Sequence, residues 1–155
     1  MEPGINRLRK AFTLLELAIV LILIGILIGI VVRGMQTNYT AKVNATVESY
    51  RVNLYAVENY FNTYRKYPGD NNSDGKIESD AIPVLRASGF DVKTTNPFGG
   101  TFTILWRNFV SDSGNYIYSD RIPLSADSLI DAKIDDGDLD AGRYRRISNV
   151  SYLKF

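Results

Sequence analysis

The longest hydrophobic stretch of the chain lies near its N-terminus. Between Phe12 and Val32, 17 of the 21 residues are apolar. A helix of 21 residues rises about 31 Å, which matches the hydrocarbon thickness of a bilayer. We therefore predict a membrane-inserted helix over residues 12–32, called here the apolar segment.

A second pattern follows the apolar segment. From residue 35 to 64, apolar residues recur every three or four positions, which predicts an amphipathic helix; they are Met35, Tyr39, Val43, Val47, Tyr50, Leu54, Val57, Phe61 and Tyr64. Pro68 and Gly69 are expected to end it. A helix over 12–66 would be about 80 Å long, so its apolar half is expected to protrude from a small head.

The remaining chain alternates short apolar runs with turn residues, which predicts an α+β head with an antiparallel β-sheet against the long helix. We expect a short helix or turn at 82–90 and a second helix near 128–134 that is capped by Ser125 or Asp127. Three strands are expected, separated in part by Gly114, at residues 101–106, 115–119 and 144–154.

Composition excludes several kinds of chemistry. The 155 residues contain no histidine and no cysteine, so disulfides, thiol or imidazole catalysis and His/Cys zinc sites are excluded. Lys plus Arg is 18 and Asp plus Glu is 17, a balance that argues against a nucleic-acid-binding protein. No nucleophile–base motif is present, so we expect no enzymatic activity.

The flanks of the apolar segment predict its orientation. Arg7, Arg9 and Lys10 precede it, and such cations hold an N-terminus in the cytoplasm. Glu16 lies inside the apolar run, where a carboxylate is costly. Two interpretations stay open: the side chain reaches the membrane interface, or it pairs with a cation from another chain.

The stretch RKAFTLLELAIVLILIGILIGIVV resembles the N-terminus of type IV pilins and type II secretion pseudopilins. The resemblance implies that residues 1–11 are a leader, which a prepilin peptidase removes between Ala11 and Phe12, and that Phe12 is then N-methylated. Glu16 would be the fifth mature residue and would neutralise the Phe12 amine of a neighbouring subunit. Ala11 departs from the family's usual glycine, and Arg33 and Gly34 stand where a proline is frequent.

Three further motifs are similar to a subgroup of pilin-like proteins. They are YPGD at residues 67–70, NPFGG at residues 96–100 and a DDG…G segment at residues 135–142. The resemblance implies three regions, namely a leader (1–11), a transmembrane and filament-core helix (12–32) and a globular pilin head (33–155).

The expected function is that of a structural subunit of a type IV pilus or a type II secretion pseudopilus. Its expected partners are further copies of itself in a helical filament, prepilin peptidase, an inner-membrane assembly platform and, before assembly, membrane lipid. It would reside in the inner membrane and then in an extracytoplasmic filament. The alternatives are a minor tip pilin with a ligand-binding head and an uncleaved membrane-anchored head domain.

Residues 70–78 predict a calcium site. Positions 1, 3, 5, 7 and 9 of an EF-hand-type loop are occupied by Asp70, Asn72, Asp74, Lys76 (through its carbonyl) and Glu78, and Gly75 is at position 6. Position 12 is Ala81, so Asp80, Glu78 or another carboxylate must supply the last ligand. The alternative is a solvated turn, since these residue types also favour turns.

A second acidic region extends from Asp127 to Asp140 and contains six aspartates. Closely spaced carboxylates repel one another, which a second cation site, or a contribution to the first, would relieve. The alternatives are a solvated acidic loop and pairing with Arg143, Arg145 and Arg146, which follow it.

Overall fold

A computed structural model of the chain describes residues 13–109 and 112–155. The described elements, in chain order, are α1 (Leu14–Tyr64), α2 (Ala81–Ala87), β1 (Phe102–Phe109), β2 (Asp112–Asp120), α3 (Leu124–Ile134), β3 (Tyr144–Ile147) and β4 (Val150–Lys154). This is the α+β arrangement of a long N-terminal helix and a small antiparallel sheet that the sequence predicts. The chain divides into two compact units, residues 1–39 and 40–155.

The first unit contains the apolar beginning of α1. The helix is continuous across Gly34, so the glycine at this position does not interrupt it. Helix α1 is the one described helix that is long and apolar enough to span a membrane, and its most apolar 18-residue window has a mean hydropathy of 3.1. Every described residue up to position 38 is exposed.

In the second unit, the rest of α1 buries one face. Val43, Val47, Tyr50 and Val57 of the predicted stripe are buried, whereas Phe61 is 36% exposed. The buried face also includes Thr46, Ser49, Asn53, Ala56 and Tyr60. These positions keep the three- and four-residue spacing of a straight helix, so helical geometry rather than side-chain size decides which residues are buried.

The four strands form one antiparallel sheet in the order β1-β2-β4-β3. A row of paired residues crosses all four strands and is at most 3% exposed: Ile104, Ile117, Leu153 and Tyr144. Tyr50 of α1 packs edge-on against Phe102 and Tyr144, with ring centroids 5.0 and 5.5 Å apart. The core of this unit therefore lies between α1 and one face of the sheet.

Two strand predictions are wrong. The expected last strand, residues 144–154, is a hairpin of two strands, and its turn includes Ser148 in the left-handed region with φ of 57°. Gly114 lies within β2, opposite Arg107, and does not separate two strands. A Cβ at this position would be 2.8 Å from Lys154 Cε, so the glycine makes room for a side chain from β4.

The predicted caps of the second helix are also wrong. Helix α3 begins at Leu124, its N-cap is Pro123, and no side chain caps it. Proline's fixed φ suits a helix start, and proline has no N–H that would need a partner. Asp127 is instead fully buried.

Candidate functional site

Glu16 and Thr13 form a reciprocal hydrogen-bonded cap at the start of α1. The backbone N–H of Glu16 donates to Thr13 Oγ1 at 3.2 Å, and Glu16 Oε2 accepts from the backbone N–H of Thr13 at 3.3 Å. Thr13 Oγ1 also donates to Glu16 Oε2 at 3.3 Å. This is a capping box, which satisfies N–H groups that a helix otherwise leaves unpaired.

The capping box adds a third role for Glu16 to the two that the sequence leaves open. The signal was present in the sequence as Thr13 followed three residues later by Glu16. The Glu16 carboxylate thus already accepts hydrogen bonds from Thr13 of its own chain. Pairing with a cation of another chain would replace these hydrogen bonds. Ala11 and Phe12, the predicted processing residues, lie outside the described residues.

The apolar side chains that follow Glu16 are unusually exposed. The large ones from Leu14 to Met35 are between 46% and 91% exposed. An exposed apolar surface of this extent indicates contact with lipid or with other protein. We therefore expect the apolar side chains of the first unit to be covered by lipid or by the apolar surface of other protein chains.

Comparison with known proteins agrees with this geometry. The family model described as the prokaryotic N-terminal methylation motif matches residues 6–32. Residues 6–32 therefore match the methylation motif that the resemblance to type IV pilins and pseudopilins predicts. A fimbrial protein of Neisseria meningitidis serogroup B is 33% identical over 90 residues, which are 57% of this chain and 52% of the relative.

The chain thus spans about half the length of the curated relative that it matches. No solved structure matches it significantly. The two matches support the likeness to type IV pilins and pseudopilins that the sequence predicts, and the exposed apolar helix fits a segment that anchors in a membrane.

The predicted calcium loop, residues 70–78, brings three of its predicted carboxylates together. Single carboxylate oxygens of Asp70, Asp74 and Glu78 lie within 4.8 Å of one another. Asp70 is 5% exposed, and its two oxygens accept the N–H groups of Ser73 and Gly75 at 2.6 and 3.0 Å. The loop is therefore already folded around Asp70 by its own backbone.

Other members of the loop are also engaged within the protein. Asn72 Oδ1 accepts from the N–H of Asp74 at 2.9 Å, and Glu78 Oε2 accepts from the N–H of Asn71 at 2.8 Å. Lys76 Nζ lies 2.9 Å from Asp74 Oδ2, and its hydrogen bond holds the pKa of Asp74 below the ordinary value. The ammonium of Lys76 thus already pairs with one of the three carboxylates.

Asp80, one of the possible replacements for the missing twelfth ligand, has another role. Its Oδ1 caps α2 by accepting from the N–H of Ile82 at 3.2 Å, and it also accepts from the N–H of Ile104 at 3.1 Å. Asp80 therefore joins α2 to β1.

Asn115 positions the 70–78 loop and was missed by the sequence analysis. This residue of β2 is 8% exposed. It accepts from the N–H of Ile77 at 3.0 Å and donates to the carbonyl of Gly75 at 2.9 Å. No local motif marks Asn115, because its partners lie about 40 positions earlier in the chain.

The acidic region 127–140 is only partly neutralised by the following arginines. Arg146 pairs with Asp127, and Arg145 Nη1 lies 3.9 Å from Asp112 Oδ2 on β2. Arg143 Nε donates to the carbonyl of Lys154 at 3.2 Å. Of the alternatives, pairing occurs for Asp127 and Arg146, whereas the side chains of the other two arginines have partners outside the acidic region.

Proposed function

We propose that the chain is a structural subunit of a type IV pilus or of a type II secretion pseudopilus, which assembles through residues 12–32 after removal of residues 1–11. The observation that carries this proposal is the methylation motif at residues 6–32, joined to a helix whose large apolar side chains from Leu14 to Met35 are all exposed. The proposed partners are further copies of the chain, prepilin peptidase and an inner-membrane assembly platform.

In the proposed mechanism the apolar segment waits in the inner membrane and then moves into the filament core. Neighbouring helices replace lipid around the apolar segment, so its side chains do not contact water during the transfer. Glu16 leaves the backbone N–H of Thr13 and pairs with the Phe12 amine of the next subunit. A mispaired charge in an apolar core is costly, so this pair would set the axial register.

Processing is tested by intact mass spectrometry of the membrane and filament fractions. The expected chain begins at N-methylated Phe12. A chain that still begins at Met1 in both fractions would contradict the proposal and support an uncleaved membrane-anchored head domain. A processed chain present at trace level beside an abundant filament protein would instead indicate a minor tip pilin.

The role of Glu16 is tested with three variants, because its capping and pairing roles are separable. Glu16→Gln keeps an oxygen that can accept the N–H of Thr13 but removes the charge, whereas Thr13→Ala removes the hydroxyl of the capping box and keeps the charge. Glu16→Ala removes both functions of the side chain.

We expect Thr13→Ala to form filaments, and both Glu16 variants to be processed normally but to form few or none. Electron microscopy of sheared filaments gives the yield, and mass spectrometry gives the processing. Normal filaments from Glu16→Gln, together with their loss in Thr13→Ala, would show that Glu16 acts only by capping its own helix.

We further propose that the 70–78 loop binds Ca²⁺ through Asp70, Asn72, Asp74, Glu78 and the carbonyl of Lys76. The support is the convergence of three carboxylates within 4.8 Å and the second lone pair that each carboxylate oxygen retains after accepting one N–H. The cation would have to displace the ammonium of Lys76 from Asp74.

Trp106 offers a direct readout of this displacement. Lys76 Nζ lies 5.5 Å from the centroid of its indole ring, and the chain contains a single tryptophan. We expect saturable Ca²⁺ to change the Trp106 emission of the parent protein. Calorimetry should show that Lys76→Met binds Ca²⁺ more tightly, because no ammonium competes. Constant emission in the parent protein together with no calorimetric binding by Lys76→Met, both up to millimolar Ca²⁺, would favour the solvated turn.

A further inference from the structure

Asp131, in the last turn of α3, is a buried carboxylate with no ion-pair partner and no hydrogen bond of normal geometry among the described residues. The residue is 0% exposed. Neither of its carboxylate oxygens has a hydrogen-bond donor among residues 13–109 and 112–155. An unpaired buried carboxylate is costly, so Asp131 is a candidate ligand for a cation.

Asp127, one helical turn earlier, shows how the same fold satisfies a buried carboxylate. It is also 0% exposed. It accepts from Tyr144 Oη and Ser151 Oγ, each at 2.6 Å, and it pairs with the guanidinium of Arg146. Because Asp127 and Asp131 lie on neighbouring turns, the lack of an ion pair at Asp131 is specific to this position and is not a general property of α3.

Two further carboxylates converge on Asp131. Single oxygens of Asp131, Asp135 and Asp136 lie within 4.8 Å of one another, and these three residues are called here the aspartate cluster. In the described part of the chain, no lysine or arginine forms an ion pair with any of them. Burial raises the pKa of Asp131, the nearby backbone N–H of Gly137 lowers it in part, and the charges of Asp136 and Asp135 raise it further.

The loop after α3 is shaped around these carboxylates. Asp135 Oδ2 accepts from the backbone N–H groups of Arg143 and Tyr144, which fixes the start of β3 beside the end of α3. A Cβ on Gly142 would overlap Asp135 Oδ2 and would lie 2.9 Å from Asp136 Oδ2. The glycine thus leaves space that the carboxylates occupy.

We propose that the aspartate cluster binds a divalent metal ion of the Ca²⁺ class. Three carboxylates carry three negative charges, and oxygens about 2.3–2.6 Å from one Ca²⁺ lie within about 5 Å of one another, as these do. Waters or backbone carbonyls complete the coordination. The ion neutralises Asp131 and, through Asp135, links the end of α3 to the start of β3.

This site is distinct from the 70–78 loop in composition. All three carboxylates of that loop accept backbone N–H groups or pair with Lys76. In the aspartate cluster Asp135 and Asp136 also accept backbone N–H groups, but Asp131 accepts no hydrogen bond of normal geometry. The two sites can therefore be tested independently with variants that address one loop at a time.

The test is Ca²⁺ titration of the full chain in detergent micelles after treatment with a chelator, read by calorimetry and by thermal melting. Every protein in the test carries Asp74→Asn, which weakens Ca²⁺ binding in the 70–78 loop, and this variant is called the background protein. In this background we expect saturable Ca²⁺ binding and a rise in Tm, and a smaller or absent effect with Mg²⁺, which requires a tighter octahedral shell.

The matched variants are Asp136→Asn and Asp140→Asn, which replace two exposed aspartates of the same loop, one inside and one outside the aspartate cluster. We expect Asp136→Asn to weaken Ca²⁺ binding at least tenfold and Asp140→Asn to leave it unchanged. Equal binding by both variants, or no binding in the Asp74→Asn background, would overturn the proposal.

Asp131→Asn should change the Tm differently in the absence and in the presence of Ca²⁺. Without metal it removes an uncompensated buried charge, so its Tm should equal or exceed that of the background protein. With Ca²⁺ it should show no further rise. A Tm that falls without metal and still rises with Ca²⁺ would contradict the assignment of Asp131 as a ligand.

Discussion

The ion pair between Asp127 and Arg146 is the buried charge interaction whose removal should most destabilise the head. The Arg146 side chain is 14% exposed and that of Asp127 is 0% exposed. Arg146 Nη1 also donates to the carbonyl of Ile122 at 2.8 Å. Arg146→Met keeps much of the aliphatic volume but leaves Asp127 with two hydroxyl donors and no opposite charge.

Breaking a buried pair by removing one partner costs about 3–5 kcal/mol. The slight exposure of Arg146 lets water reach the site, so we expect about 3 kcal/mol. With a urea m-value of about 1–3 kcal/mol/M, the unfolding midpoint should fall by about 1–3 M. The assay is urea unfolding of the full chain in detergent micelles, followed by Trp106 emission.

Arg121→Met is the matched control. Arg121 is 73% exposed on its side chain and lies 3.7 Å from Asp120 Oδ2, and exposed pairs of this kind contribute little to stability. The double variant Asp127→Asn with Arg146→Met should cost less than the sum of its two single changes, because it leaves no unpaired charge. Equal midpoints for Arg146→Met and Arg121→Met, or strict additivity, would refute this reasoning.

Two further predictions concern glycines and tyrosines of the head. Gly100→Ala should destabilise by at least about 2 kcal/mol in urea unfolding, because its Cβ would overlap the backbone carbonyl of Asp120. Gly114→Ala should cost clearly less, since its Cβ would meet only the flexible end of Lys154; equal costs would contradict the distinction. Burial, followed by the hydrogen bond to Asp112, raises the pKa of Tyr116 to about 12, so its stabilising contribution is present below pH 10 and lost as pH rises through about 12. Burial also raises the pKa values of Tyr50 and Tyr144, so absorbance at 295 nm should show these tyrosines ionising together with loss of circular dichroism, and titration of all tyrosines near pH 10 in a folded protein would contradict this.

The sequence was most informative where structure depends on local pattern. The apolar segment and the amphipathic continuation predict α1 almost to its observed end at Tyr64, because helical periodicity is a property of neighbouring residues. The capping box of Thr13 and Glu16 could have been predicted for the same reason. The convergence of Asp70, Asp74 and Glu78 also follows from local spacing.

The sequence was least informative about strand boundaries. Gly114 suggests a break, but its place inside β2 depends on Lys154, which is 40 positions away. The sequence does carry a turn signal between β3 and β4, Ser148 and Asn149, which the prediction of one strand over 144–154 missed. For Gly114 the pairing of β2 with β4 decides, and these two strands are distant in the chain.

The sequence by itself determined that this protein has an exposed apolar helix with a single carboxylate near its start, since hydrophobic run length and charge position need no tertiary contact. Only the tertiary structure decided which aspartates of residues 127–140 are satisfied. Asp127 and Asp131 lie one turn apart on the same helix, yet only Asp127 meets Arg146, Tyr144 and Ser151. The physical reason is that donors to a buried carboxylate come from β3 and β4, and their positions are fixed by folding and not by the local sequence.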